Sequence, residues 1–521
     1  MSNLINHNYI DYVIKHYVPE LSTQDIKINI NIFREAMLHE STKYAGQNKS
    51  YDRLEFLGDA IFHVIITEYI FTRYDNENEG FLTKLRIRIE RGESMTELSY
   101  ILLLDRYIQT YNFQINDHLL EDIFEAFIGA FYLNFGIKYT RQLIIALIEK
   151  YKDFAEMIVH DDNYKDLLLR YFHQLKWGHP KYEENYINNK YTSIVKNPNG
   201  KIIGQGSSRV KIKAEQYASK SVLKTMGIII NDEVDPDWMD RIEKIEKTKK
   251  NNTKKTLPIH NPYNKLITDK IISQILYDYN VPANKDKKIK IKNFREAMAH
   301  RSYLNRDTKN VSGKKVIDKS CIPLQKKSNC RLRFLGDSVI HFVITLFLYK
   351  KYNMSDEGFL TRLRSKLENK DSLFYLAKQT NISAYIMVSQ NIEILHGRNN
   401  VNIIGGGFEA FIGALYLELG LKITHDFILA VFETELDIDE IAINETNYKE
   451  LIYHYFNKNG LDYPVYKKIS ESGPDHNKIF EVGLCHPRDD SFISTGKGSS
   501  IKKAEQLASK KAYGKIGTFV F

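Results

Sequence analysis

The chain has 521 residues, a formal net charge of +9 and a composition that is 43% hydrophobic and 12% aromatic. That length exceeds one hydrophobic core and sets an expectation of three or four domains, the aromatic content excludes a disordered chain, and the basic excess favours a polyanionic partner. Three cysteines, Cys321, Cys330 and Cys485, lack metal-ligand spacing and point to reduced thiols in a reducing compartment.

Met1 to Asn8 has neither the basic nor the apolar region of a signal peptide, and no run approaches ~18 uninterrupted apolar residues. A soluble intracellular protein, cytoplasmic or nuclear, is therefore expected. The abundance of Lys, Asn, Ile and Tyr reads as the bias of an AT-rich genome, compatible with a virus or a protist.

In chain order, the first stretch with chemical content is Asp52-Arg-Leu-Glu-Phe-Leu-Gly-Asp59, at the head of a dense apolar run. At 3.6 residues per turn Asp52, Glu55 and Asp59 share one helix face. Carboxylates on a largely apolar helix repel one another and lose hydration when buried; a divalent cation removes both penalties. Asp122 and Glu125 lie one turn apart at the start of a second apolar helix, Glu121-Asp-Ile-Phe-Glu-Ala-Phe-Ile-Gly-Ala. Hard oxygen donors from two helices suit Mg²⁺. Two such ions about 3.5–4 Å apart are common machinery for phosphodiester hydrolysis. A lone D-x-x-E is ordinarily a solvated face; the paired set with apolar flanks is what favours a site.

From Asn163 the pattern changes to an amphipathic helix, alternating strand-like segments, and Gly204-Gln-Gly-Ser-Ser-Arg-Val-Lys-Ile-Lys, a glycine turn opening a basic helix. Backbone N–H groups and the helix dipole there favour an anion, and Arg209, Lys211 and Lys213 can reach phosphates. A charged segment, Glu243 to Lys255, then reads as a tether.

The remainder repeats what came before. Phe33-Arg-Glu-Ala-Met-Leu-His-Glu-Ser recurs at Phe294, Arg53-Leu-Glu-Phe-Leu-Gly-Asp at Arg331, Glu79-Gly-Phe-Leu-Thr at Glu357, and Phe124-Glu-Ala-Phe-Ile-Gly-Ala at Phe408. The period is too long for a solenoid, so whole domains are duplicated. A Lys-rich insertion between Ser302 and Arg331 reads as a surface loop. The second tail ends in Gly496-Lys-Gly-Ser-Ser-Ile-Lys-Lys, with Lys497, Lys502 and Lys503 as phosphate contacts. Both copies keep His39/Ser41 or His300/Ser302, including the copy that lost acids, so a structural hydrogen bond is expected there rather than a nucleophile.

The Arg53–Asp59 motif followed by Asp122-x-x-Glu-Ala-Phe-Ile-Gly-Ala resembles ribonuclease III, the Mg²⁺-dependent endonuclease of double-stranded RNA, although the family signature usually begins with Glu where this chain has Asp52. Each tail resembles the double-stranded-RNA-binding domain, which reads A-form shape. The resemblance implies two all-α ribonuclease III endonuclease domains, each followed by an α+β (α-β-β-β-α) double-stranded-RNA-binding domain. The expected limits are 1–155 for a catalytic domain, 162–228 for the first RNA-binding domain, 229–262 for a charged linker, 263–437 for a degenerate nuclease-like domain and 446–517 for the second RNA-binding domain.

It further implies Glu55, Asp59, Asp122 and Glu125 as Mg²⁺ ligands and catalytic residues, with Mn²⁺ able to substitute and with Asp52 one methylene short of the family's Glu. Products would carry 5′-phosphate and 3′-hydroxyl ends. Phe56 and Phe334 would meet in an internal pseudo-dimer of a monomeric chain, with duplex RNA as partner and no membrane. His476, in the Gly473-Pro-Asp-His loop, is assigned a minor-groove contact; the first tail has Asn185 to Lys190 instead. Glu79 and Glu357 match a further acidic position; Glu357 either completes the site from the partner domain or is a helix N-terminal charge.

In the second copy the aligned positions are Cys330, Arg333, Asp337, Gly406 and Glu409. Two of the four core carboxylates survive, and a guanidinium that cannot lose its proton stands where a metal would sit. One working centre, one dead one and cleavage of one strand per binding event are expected. A non-catalytic duplex binder (sequestration or silencing suppression) and a ribonucleoprotein scaffold remain the competing readings.

Overall fold

The computed structural model describes residues 4–21, 27–45, 49–154, 157, 164–175, 177–187, 189–230, 233–234, 260–281, 290–304, 321–445, 448–458, 460–473, 478–486 and 491–514. Most of the expected 229–262 linker, with all of its Glu243 to Lys255 tether, most of the Lys-rich insertion, and His476 lie outside the described residues.

The first unit is helical: α1 (His7–Tyr17), α2 (Ile30–Ala36), α3 (Asp52–Arg73), α4 (Glu79–Ile89), α5 (Gly92–Ile101) and α6 (Asp117–Tyr151). Side-chain caps start several of them: Asn6 accepts from the Tyr9 N–H, Asn78 from Phe81 and Asn116 from Leu119. Helix α6 turns at Gly136, whose φ of 75° needs a residue without a Cβ.

Helices α3 and α6 are apolar nearly all round because both are enclosed. They cross through glycine. A Cβ on Gly58 would lie 1.8 Å from the Glu125 carbonyl oxygen, and one on Gly129 would lie 2.3 Å from that of Leu54. The Gly in each repeated motif is therefore a contact point, and it draws the acidic faces of the two helices together.

The chain continues with α7 (Tyr164–Gln174), an antiparallel sheet of β1 (Tyr182–Ile187), β2 (Lys190–Lys196) and β3 (Ile202–Ser208), and α8 (Lys211–Thr225). Strands β1 and β2 join through two residues, with Asn189 at φ 58°. Gly204 and Gly206 let β3 lie directly on α8: added Cβ atoms would meet Ala218 backbone atoms at 2.7 and 2.2 Å. A small core forms from Leu168, Phe172, Val195, Val222 and Leu223. The expected 229–262 linker begins with a short ribbon, β4 (Ile229–Ile230) on β5 (Glu233–Val234).

The second unit repeats the first with α9 (Asp269–Asp278), α10 (Ile291–Ala297), α11 (Cys330–Lys351), α12 (Glu357–Leu367), α13 (Lys370–Gln379), α14 (Gln390–Ile394), α15 (Val401–Leu419), α16 (Leu421–Glu435) and α17 (Ile438–Glu445). Gly336 and Gly413 reproduce the glycine crossing, and Gly420 at φ 84° reproduces the turn. Helix α11 is long and apolar enough to cross a membrane, but 78% of its apolar window is buried inside the protein. A second tail follows: α18 (Tyr448–Lys458), β6 (Tyr466–Ser472), β7 (Ile479–Cys485), β8 (Phe492–Gly498) and α19 (Ile501–Tyr513).

Helix α3 packs against α11, and one hydrophobic core runs through both helical units. The contact is reciprocal. Arg53 donates from Nη2 to the Tyr349 carbonyl at 2.8 Å and from Nη1 to Tyr352 at 3.0 Å and to Ser355; Arg331 donates to Phe71 at 2.9 Å, Tyr74 at 2.8 Å and Glu77. Each arginine thus bonds carbonyls at and just beyond the other unit's helix C-terminus, where a cation also meets the negative end of the dipole. Phe56 and Phe334 are buried at this contact. Each is covered by an arginine of the opposite unit, with Arg364 over Phe56 and Arg86 over Phe334 both at 4.5 Å. Phe56 and Phe334 make no ring pair with each other among the described residues; His63 and His341, with centroids 5.4 Å apart, do so across the contact.

Candidate active site and nucleic-acid interface

The first unit brings its acidic side chains to the α3–α6 crossing. Asp122 and Glu125 are 8% and 9% exposed, while Asp59 stays nearly half-exposed. Burial, followed by repulsion from Asp122, Glu357, Asp52 and Asp59, pushes the Glu55 carboxyl up to about 9. Burial and then Asp59 and Glu55 raise Glu125 well above the carboxylate range. Asp122 is raised by burial against the opposing Tyr51 hydrogen bond. Asp59 goes the other way. Its desolvation is outweighed by His341 and Arg364 of the second unit, whose nitrogens stand 3.8 and 3.9 Å from Oδ2. Asp52 accepts from the Ser50 hydroxyl at 2.8 Å.

This is a set of hard oxygens whose mutual repulsion and desolvation a divalent cation would relieve, so the donor chemistry fits Mg²⁺. Among the described residues no three His, Cys, Asp or Glu side chains are already gathered tightly enough to hold an ion.

The second unit has a different centre. Arg333 Nε lies 2.5 Å from Glu409 Oε2. Burial lifts the Glu409 carboxyl to about 7, although Arg333 pulls it down. A Cβ on Gly406 would stand 3.2–3.3 Å from the Arg333 Cδ, Nε and Cζ. The change of Asp122 to Gly406 thus makes room for the change of Glu55 to Arg333. Asp337 is exposed, and Cys330 is a free thiol at the place of Asp52. Glu357 acts on Glu55 and Glu79 on Arg333, so each centre feels the glutamate of the opposite unit.

His39 Nδ1 lies 2.8 Å from Ser41 Oγ, and that oxygen accepts the Tyr111 N–H at 2.9 Å. His300 and Ser302 repeat the arrangement, with Ser389 as donor. These serines tie loops together.

On the tails, Arg209, Lys211 and Lys213 are exposed at the start of α8, as are Lys497, Lys502 and Lys503 around α19. Lys211 is 2.8 Å from Glu184 and Lys497 is 3.5 Å from Glu481. The two helix starts differ: Ser500 Oγ accepts the Lys503 N–H, whereas Val210 gives α8 no side-chain cap.

Pattern reading missed Tyr51, Arg53, Arg331, His341 and Arg364. The arginines could have been found, since each recurs at its equivalent place in both copies. Tyr51 could not, because its partner lies 71 residues away and only the fold joins them.

Family profiles match three parts of the chain. A ribonuclease III domain profile matches residues 52–136, a ribonuclease-III-like profile 291–436 and a double-stranded RNA binding motif 448–516. A probable ribonuclease 3 of Acanthamoeba polyphaga mimivirus is 57% identical over 98% of this chain and 97% of its own length. Ribonuclease 3 of Borreliella burgdorferi is 39% identical over 36% of this chain and 76% of its own. Among solved structures, the ribonuclease III nuclease domain of Campylobacter jejuni is 25% identical, covering 32% of this chain and 98% of that one, with a TM-score of 0.25.

Proposed function

The chain belongs to the ribonuclease III family, and on that premise we propose that it cleaves double-stranded RNA or hairpins with one active centre, in its first helical unit. The family activity makes it a ribonuclease III enzyme, and the binding motif in its second tail supports duplex RNA as substrate. Family members generally depend on a divalent metal. Here Glu55, Asp59, Asp122 and Glu125 would hold Mg²⁺, with Mn²⁺ able to replace it. Bound there, the metal would lower the pKa of a water and stabilise the leaving 3′ oxygen. The water would shed a proton to solvent as its oxygen joins phosphorus, the bond from phosphorus to the 3′ oxygen would break, and that oxygen would take up a proton from solvent, leaving 5′-phosphate and 3′-hydroxyl ends.

This chain's own contributions follow from its side chains. Glu55 and Glu125 must give up protons to bind the cation, so loading is favoured by rising pH. Asp52 reaches less far than the family's Glu and would contribute through solvent, and Glu357 would act on the site from the second unit. That unit is a structural partner: α3 on α11 makes an intramolecular pseudo-dimer whose association is a single-chain event at high effective concentration. Its Arg333–Glu409 pair fills the space that a metal would need, and this pair is the observation that carries the one-centre reading. The basic starts of α8 and α19, with His476, would hold backbone phosphates and the minor groove; Lys211, tied to Glu184, would contribute less than Lys502 and Lys503.

The test uses a duplex labelled separately on each strand, with enzyme too dilute for chains to associate. One-strand cuts that require Mg²⁺ and vanish in Glu125→Ala are expected. Paired staggered cuts by the parent, or cleavage that survives Glu125→Ala, would sink the proposal.

A further inference from the structure

Tyr51 stands one residue before the acidic motif, and the catalytic reading makes no use of it. Its backbone N–H donates to the Leu38 carbonyl at 2.9 Å, and its own carbonyl accepts from Leu54 and Glu55, so it is fixed at the start of α3. The ring is buried, 6.0 Å from the His39 ring, which stacks on Phe113 at 4.1 Å. From this seat the hydroxyl donates to Asp122 Oδ2 at 2.8 Å. The other oxygen, Oδ1, faces His118 at 3.4 Å, and that imidazole is 80% exposed and easily displaced.

A buried phenol needs an acceptor and a buried carboxylate needs a donor, so each group satisfies the other. The bond also favours the ionised form of Asp122 and fixes which oxygen is left for a ligand. The internal duplicate supplies the control. At the equivalent positions the second unit has Asn329 for Tyr51 and Gly406 for Asp122, so hydroxyl and carboxylate are present together in one unit and absent together in the other.

We propose that Tyr51 is a positioning residue of the first centre, holding Asp122 by Oδ2 so that Oδ1 is presented to the divalent cation. The proposal rests on the reading of Asp122 as a metal ligand. Partners that orient metal ligands are typically worth about 10–100-fold in metal affinity or activity.

The experiment titrates Mn²⁺ into the full-length, RNA-free chain by calorimetry, for the parent, Tyr51→Phe, Asp122→Asn and the double variant that combines them, with melting temperatures in EDTA recorded alongside. Tyr51→Phe removes one oxygen from an otherwise unchanged ring, and Tyr51→Asn, which installs the second unit's residue, gives an independent loss of the hydroxyl. Both should weaken Mn²⁺ binding by about tenfold. The double variant should bind no more weakly than Asp122→Asn alone, because the hydroxyl acts only through that carboxylate. A lower melting temperature with unchanged Mn²⁺ affinity, or additive losses in the double variant, would overturn the positioning role while leaving the metal site standing. Unchanged affinity in Asp122→Asn itself would overturn the metal reading and this proposal with it.

Discussion

The two helical units share a crossing of two helices through paired glycines, yet they place opposite charges at it. In the first, the carboxyl groups of Glu55, Asp122 and Glu125 are held up by burial first and by their acidic neighbours second. In the second, Arg333 sits on Glu409, and Gly406 leaves the room it needs. Like charges forced together in a low-dielectric crossing are costly unless a cation joins them; an internal guanidinium removes the cost and the cation's place together. The contrast teaches that a duplicated fold can keep its packing while replacing crowded carboxylates with an internal ion pair. The second unit is not inert toward the first: His341, Arg364 and Glu357 all act on the first unit's carboxylates.

The largest expected effect comes from removing one equivalent acid from each unit. Glu125→Ala should lower the cleavage rate by about a thousandfold, whereas Glu409→Ala should change it less than about twofold, as read in single-turnover cleavage of a labelled hairpin. Equal losses would erase the contrast. The converse substitution set Cys330→Asp, Arg333→Glu and Gly406→Asp joins the retained Asp337 and Glu409 to give the second crossing the same five acids as the first; second-strand cuts should then appear on a doubly labelled duplex, and continued one-strand cutting would show that more than these side chains separates the units.

Next come the arginines at the contact. Arg53→Ala and Arg331→Ala each remove a charged donor from three carbonyl acceptors, and each should cost about 2 kcal/mol in denaturant unfolding. Here the units should behave alike, which sharpens the claim that their difference is confined to the crossing.

The pH dependence separates them again. Glu55, raised to about 9 in the folded chain, keeps a proton that the unfolded chain gives up above about pH 4.3. Its contribution to stability is therefore complete below that pH and is lost as pH rises through about 9. For Glu409 the loss ends lower, near 7. Glu55→Gln should raise the melting temperature of the metal-free protein at alkaline pH and leave it unchanged near pH 4, with Mg²⁺ narrowing the alkaline difference by stabilising the parent. A variant that melts like the parent at every pH would contradict the burial and charge crowding of Glu55. The smallest effect belongs to the tails. Lys502→Glu should weaken duplex binding and reduce its salt dependence by about one unit of slope, and Lys211→Glu, which frees Glu184, should do less.

Much of this was legible in the residues because duplication writes the experiment into the chain. The repeated motifs located both helix crossings, and the change of Glu55 to Arg333 pointed to unequal centres before any coordinates. Three features were not legible. The room that Gly406 makes for Arg333 is a matter of ångströms, not of residue type. The arginine-covered Phe56 and Phe334 depend on how two units meet, and the resemblance had suggested a direct ring contact. The Tyr51 bond joins positions on two helices that only packing brings together. Helix α11 likewise has the hydropathy of a membrane span, and only its burial inside the protein shows what its apolar surface touches.

Anomalous scattering from a Mn²⁺-soaked crystal of the full chain tests the central claim most directly. The account predicts manganese bound among Glu55, Asp59, Asp122 and Glu125 and no peak between Arg333 and Glu409. Equal occupancy at the two crossings, or none at the first, would contradict it.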